Sequence, residues 1–279
     1  MSSVPMHELT EEFLAWIYGI RSMSPRTVTA YRRDMELFLS LLDEHIEAVQ
    51  DVTLGDLQLC IARLSRGQIG VPSGKKYSPA SINRFIASVR AFFRYCLRME
   101  HISANPAASL KTLKAPQKLP RFMFPEEADE ICGLPENAGI LWPERDRALF
   151  EVLYSSGCRV SEAAALTLES LSRDLSGAGV VGKGRKFRRV FFSDAAQEAL
   201  RAYLAVRRLR IPSERDVKRL FVSLQGKALS VRGIQYIVER YAGKTAEGKP
   251  LSPHAFRHTF ATSLVGNGAD VRVVQELLG

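Results

Sequence analysis

The sequence predicts a mainly α protein in two parts, with one small antiparallel β-sheet in the second. Helical apolar spacing recurs from the N-terminus onward, while strand-like alternation is confined to the chain beyond about residue 175. Charge is uneven: residues 1–110 hold 12 basic and 11 acidic side chains, whereas 111–279 hold 27 and 19. Between the parts, Leu110-Lys-Thr-Leu-Lys-Ala-Pro116-Gln-Lys-Leu-Pro120-Arg has three lysines, two prolines and no apolar period, the composition of an extended basic connection.

With 279 residues, 46% of them hydrophobic and 25% charged, the chain can bury two sizeable cores. Its apolar runs fall short of a membrane span. Glu8, Glu11 and Glu12 stand where a signal peptide would carry basic residues, so the expected compartment is the cytoplasm and no membrane partner is expected. Cys60, Cys96, Cys132 and Cys158 are scattered with no paired spacing, which points to small buried hydrophobes rather than to a metal site or disulfides.

In the first part, helices are predicted over 7–20, 25–44, 53–66 and 79–99, punctuated by Ser24-Pro25, Asp51-Val-Thr53 and a Gly/Pro-rich loop at 67–79. In the fourth helix Phe85, Ile86, Val89, Phe92, Phe93, Cys96 and Leu97 fall on one side, and Arg84, Arg90, Arg94 and Arg98 largely on the other. In the second, Val28, Tyr31, Met35, Phe38 and Leu42 face the core, leaving Arg26, Arg32 and Arg33 outside. Positions 57–99 carry eight basic residues and no acid, so the mixed-sign pairing of a plain surface helix is not expected there. With an overall charge of +9, this patch favours a polyanionic partner.

In the second part, helices are predicted over 125–134 and 143–156, with Gly157 as a stop and a short helix from about Ser161. Arg159 sits at that junction, and Glu162, three residues on, is placed to orient its guanidinium. Strands follow at 178–182 and 187–192, with Gly182 and Gly184 at the turn and Lys183 at its tip. Helices at 194–209, 230–242, 253–266 and 270–278 and a short strand near 219–223 complete the pattern. Ser252 and Pro253 suit the N-cap and first position of the 253–266 helix. There His254, Arg257, His258 and Ala261 share one face, and Phe256, Phe260 and Leu264 lie opposite. Polar side chains at a helix N-terminus outline a phosphate site. The sequence shows no carboxylate cluster suited to two magnesium ions, which argues against a metal-dependent nuclease.

Three stretches in order carry a family resemblance: Tyr154-Ser-Ser-Gly157-Cys-Arg159-Val-Ser-Glu162, Val180-Val-Gly182-Lys183-Gly184-Arg-Lys-Phe, and Leu251-Ser-Pro-His254-Ala-Phe-Arg257-His258-Thr-Phe260. Together they resemble the Arg box, lysine hairpin and His-x-x-Arg box of the tyrosine recombinases, the phage-integrase-like family that includes the bacterial Xer proteins. The likeness spans nearly the whole chain and is strongest from Pro120. It implies a SAM-like helical core-binding domain (1–110), a linker (111–122) and a mixed α+β catalytic domain (123–279) closing around duplex DNA from opposite sides. It implies that Arg159 and Arg257 stabilise charge on a scissile phosphate and that His254 holds or passes a proton. Lys183, with Lys186 as the competing candidate, would protonate the leaving 5′-oxygen, with Glu162 in support. The nucleophile would be a tyrosine forming a 3′-phosphotyrosyl bond, so that no cofactor, neither ATP nor metal, is needed. Arg32, Arg33, Arg84, Arg90 and Arg94 are the candidate DNA contacts.

In the family Leu-Leu-Gly is followed by a His or Trp, the nucleophilic tyrosine and a closing helix, whereas here the sequence stops at Leu277-Leu278-Gly279. Tyr236 and Tyr241 precede the His-x-x-Arg box, in the wrong order to substitute. The expectation is a truncated form that binds DNA but lacks the nucleophile. As a full-length protein it would act on paired sites as a homo- or hetero-tetramer with a related recombinase, in chromosome or plasmid dimer resolution. A phage or mobile-element integrase, a non-catalytic DNA-binding protein and a type IB topoisomerase remain the alternatives.

Overall fold

The computed structural model describes residues 4–43, 45–67, 76–114, 123–137, 142–182, 186–211, 217–243 and 251–279. The chain divides into two compact units, Met1–Gln117 and Lys118–Gly279.

The first unit is built from α1 (Met6–Gly19), α2 (Pro25–Leu41), α3 (Leu54–Arg66) and α4 (Pro79–Arg98). The starts of α2, α3 and α4 have a local cause. Ser24 accepts from Thr27 N ahead of Pro25, Thr53 and Asp56 form a reciprocal capping box, and Ser78 accepts from Ser81 N ahead of Pro79. The buried stripes of α1, α2 and α4 meet in an aromatic core. Phe92 and Phe93 pack edge-on at 5.3 Å, and Phe13 and Phe38 pack against them at 5.6 and 5.9 Å. Leu97, expected on the packed side of α4, is 40% exposed. After α4 the chain stays with this unit: Ile102, Ala107 and Leu110 are buried in the same core. Asn83 Nδ2 donates to Leu113 O at 2.9 Å and Leu113 N returns a bond to Asn83 Oδ1 at 2.7 Å. The head of the expected connection, 111–114, is thus fastened to α4. Its remainder, 115–122, lies outside the described residues.

The second unit contains α5 (Pro125–Asn137), α6 (Pro143–Ser156), α7 (Val160–Ala165), β1 (Gly177–Val181), β2 (Phe187–Phe191), α8 (Asp194–Arg210), α9 (Val231–Ala242), α10 (Pro253–Gly266) and α11 (Val271–Leu278). Helix α5 runs past Pro135, one turn longer than predicted. The strands pair antiparallel from Gly177↔Phe191 to Val181↔Phe187. The expected strand near 219–223 is reduced to single-point pairings, Thr167↔Arg219 and Val222↔Ala228. All four cysteines are buried, and burial pushes the Cys60 and Cys158 thiols up to about 11.

Helix α6 is the axis of this unit. It packs against α5, α7, α8, α10 and β2, and Ala148, Leu149, Phe150, Val152 and Leu153 are fully buried. Phe150 stacks on Phe256 of α10 at 5.8 Å and meets Tyr241 of α9 edge-on at 5.0 Å. The helix stops at Gly157, whose φ of 55° is left-handed and favours glycine. A Cβ there would lie 2.3 Å from the Phe260 ring of α10, so glycine also lets α10 approach the end of α6.

Gly157→Ala is therefore expected to destabilise the protein by about 1–3 kcal/mol, from backbone strain and a displaced Phe260. Chemical denaturation checks this, and an unchanged midpoint would show that neither constraint operates.

Candidate active site

Arg159 enters the site because α6 ends abruptly and α7 begins within a few residues. Its backbone N–H donates to Glu162 Oε2 at 2.7 Å and its Nη1 to Glu162 Oε1 at 2.9 Å. Glu162 is only 4% exposed, so this carboxylate works in a medium where charge pairing is strong. A second guanidinium, Arg188 of β2, donates from Nη2 to Glu162 Oε2 at 2.9 Å. A third, Arg257 of α10, donates from Nη1 to Gly157 O at 2.9 Å, so it is tied to the same helix-ending glycine.

The three arginines then converge on the end of α11. Arg188 Nε donates to Leu277 O at 3.0 Å, Arg257 Nη2 to Leu278 O at 2.9 Å and Arg159 Nη2 to Gly279 O at 2.5 Å. Successive carbonyls at a helix C-terminus carry partial negative charge, which suits guanidinium donors. Glu162 pairs with two of the three guanidiniums, Arg159 and Arg188, and Arg257 has no carboxylate partner among the described residues. The imbalance is felt at Arg257, where burial first and the repulsion of Arg159 next hold the guanidinium below its ordinary value, with Glu162 opposing. Arginine stays charged regardless, so the pocket is a fixed array of donors with an excess of positive charge.

His254 is exposed on the first turn of α10, and His258 is half-buried. Ser252 occupies the N-cap position but makes no side-chain capping bond, and Ala255 N bonds instead to Ser252 O at 2.9 Å. Phe256 is fully buried as expected, whereas Phe260 and Leu264 are half-buried. Lys183 lies outside the described residues. Its predecessor Gly182 is described: a Cβ on it would sit 3.4 Å from Glu162 Oε1 and 3.7 Å from Arg159 Nη1. The end of β1 therefore lies beside the Arg159–Glu162 pair. Lys186 is exposed just before β2. Tyr241 is buried and donates to Asp146 Oδ2 at 2.9 Å, and burial and Asp146 raise its pKa. Tyr236 is 64% exposed. Neither tyrosine is among the bonded partners of the three arginines.

Arg188 was not anticipated. Its signal in the sequence is the strand's period of two, which puts Arg188 on the same side as buried Val190 while Phe187 and Arg189 face out. A charged residue on the inward side of a strand needs a partner.

Comparison with known proteins identifies the chemistry. The phage integrase family model matches residues 121–279, and that of the phage integrase N-terminal SAM-like domain matches residues 10–100. A Treponema denticola protein named tyrosine recombinase XerC is 44% identical over 98% of this chain and 90% of its own length. One of the same name from Leptospira interrogans is 35% identical over all of this chain and 86% of its own length. The chain belongs to the phage integrase family. It is a site-specific tyrosine recombinase of the Xer type, an enzyme of DNA strand cleavage and rejoining. The crystal structure of XerA recombinase is similar at a TM-score of 0.52 and 27% identity, covering 98% of this chain and 89% of that one. A lambda integrase dimer bound to a COC′ core site shares the fold at a TM-score of 0.73 and 16% identity, covering 99% and 95%. No helix among the described residues is long and apolar enough to cross a membrane.

The arginines expected to reach DNA from this recombinase's first unit divide into two groups. Arg32 pairs with Glu11, Arg84 Nη1 donates to Asp34 Oδ2 at 2.6 Å, and Arg90 donates to Leu110 O. The stretch 57–99 lacks acids, but the bundle supplies them from other helices: Asp43, just past the end of α2, likewise pairs with Arg63 at 2.7 Å. An argument from one helix's own charges misses partners that packing delivers. Arg33 and Arg94 are exposed.

Arg84 therefore has a structural duty. Burial raises the pKa of Asp34, with Ser88 and Arg84 opposing. Since the folded value is raised, the protonated form favours the fold. Asp34's contribution is fully present below its unfolded pKa and is lost as pH rises through the folded one. Arg84→Met should cost about 1–2 kcal/mol near neutral pH, because Asp34 loses its counter-charge, and less where Asp34 is protonated. Denaturation across that pH range tests this, and a pH-independent difference would contradict it.

Proposed function

We propose that the pocket formed by Arg159, Glu162 and Arg257 holds the scissile phosphate of duplex DNA. The observation that carries this reading is the convergence of their donors on one small region with excess positive charge. A phosphodiester resists attack because its own charge repels nucleophiles, and its transition state concentrates charge on the non-bridging oxygens. Guanidiniums from Arg159 and Arg257, already oriented by Glu162 and Gly157, stabilise that charge. His254, on the first turn of α10, holds or passes a proton, and Lys183 delivers one to the leaving 5′-oxygen. A tyrosine hydroxyl attacks and retains the bond energy as a 3′-phosphotyrosyl ester, with no cofactor consumed. Neither Tyr236 nor Tyr241 supplies that hydroxyl.

In this reading residues 1–110 form the core-binding domain, 111–122 the connection and 123–279 the catalytic domain. Arg33 and Arg94 are the foremost phosphate contacts of the first, with Arg32, Arg84 and Arg90 held chiefly by the bundle. The protein acts in the cytoplasm, as a tetramer of like or related subunits on paired DNA sites, resolving chromosome or plasmid dimers. Structures of lambda integrase as a dimer on a core site and as a tetramer on a Holliday junction support that assembly through their shared fold.

Arg257→Ala is expected to leave DNA affinity within about threefold while strand cleavage falls by about a hundredfold or more. Weaker binding with no separate loss of cleavage would mark a protein that only grips DNA. Lys183→Ala should slow cleavage of ordinary DNA but not of a 5′-bridging phosphorothiolate, since a thiolate departs without a proton. The same rescue in Lys186→Ala alone would reassign the acid. Affinity should fall with salt at about 0.9 log units per log unit of salt for each phosphate contacted, and Arg33→Glu with Arg94→Glu should weaken binding to every sequence. A flat salt response would contradict phosphate gripping by both units.

A further inference from the structure

We propose that Arg188 is a positioning residue for the recombination reaction, holding Glu162, and through it the guanidinium of Arg159, in place against the scissile phosphate. This rests on the reading of the pocket as a phosphate site.

The geometry divides the Glu162 carboxylate between two neighbours. Oε1 takes Arg159 Nη1, while Oε2 takes Arg159 N at 2.7 Å and Arg188 Nη2 at 2.9 Å. The terminal torsion of a glutamate is broad, so a carboxylate held from one side alone can rotate. Arg188 closes the other side. Its side chain is 12% exposed, its Nε is fixed by Leu277 O at 3.0 Å, and Nη1 is buried without a partner among the described residues. Desolvating a guanidinium is costly, and here the compensation comes from one carboxylate oxygen and one carbonyl.

Position on β2 adds a second consequence. Gly182, at the end of the facing strand, also abuts Glu162 and Arg159, so both strands of the hairpin close on this pair. Arg188 thereby couples β2, the Arg159 turn and the end of α11. Lysine would keep the charge but cannot bridge the carboxylate and carbonyl with a planar fork.

The test uses binding alone. The probe is a duplex selected from a random library for binding to this chain, with single methylphosphonates walked through both strands so that each phosphate is neutralised in turn. For the wild-type chain one phosphate should be exceptional, its neutralisation weakening binding about tenfold or more. Arg159→Ala should reduce that penalty to within about twofold. Arg188→Ala should do the same with its melting temperature nearly unchanged, Arg188→Lys should fall between, and the double variant should lose no more than Arg159→Ala alone. An Arg188→Ala chain that keeps the wild-type penalty, or that loses affinity evenly across all phosphates, would overturn the proposal. So would additive losses in the double variant, which would make Arg188 a direct phosphate ligand. Arg188→Lys gives the same readout if the alanine variant does not fold. If no phosphate stands out for the wild-type chain, the phosphate-site reading fails and this inference with it; the other failures leave that reading intact.

Discussion

Around the carboxylate of Glu162 the second unit gathers more positive charge than it neutralises. Two guanidiniums, Arg159 and Arg188, share that buried group, and at Arg257 burial first and their repulsion next depress the pKa. Such a cluster is unfavourable unless something negative occupies it, and in this structure the carbonyls ending α11 do so. A phosphodiester offers the same donors a full charge. Much of the unit's architecture follows from the need to hold these cations at close range without letting them collapse onto carboxylates.

Rigidity comes from α6. Its residues are buried almost all round, so its C-terminal end is a fixed point, and Gly157 terminates it in a conformation that side chains resist. The same glycine supplies the carbonyl that anchors Arg257 and the space that admits Phe260. One residue with no side chain thus sets the separation of the Arg159 and Arg257 boxes, which lie about a hundred positions apart in the sequence. Stacking of Phe150 on Phe256 fixes α10 against α6 from the apolar side.

Most elements were legible in the sequence because their signals are local. Ser-Pro starts, the break at Asp51-Val-Thr53 and the Gly157 stop mark helix limits that the structure reproduces closely, and α6 and α10 begin and end where predicted. Arg159, Glu162 and Arg257 could be picked out by motif, and the structure brings them together. What stayed hidden depends on contacts across elements. Arg84 and Arg32 read as open cations because Asp34 and Glu11 lie on other helices. Arg188 was lost in a run of basic residues where only strand period distinguishes it. The cap expected from Ser252 is replaced by a backbone turn to Ala255, a choice that no propensity encodes.

What the arginine pocket binds decides whether it is a phosphate site. A crystal structure of this chain on a duplex containing its site would show it directly. A backbone phosphate is expected between the guanidiniums of Arg159 and Arg257, with the α11 carbonyls released and Glu162 still bridging Arg159 and Arg188. A complex in which those arginines keep the carbonyls of Leu278 and Gly279 while the DNA lies elsewhere would contradict it.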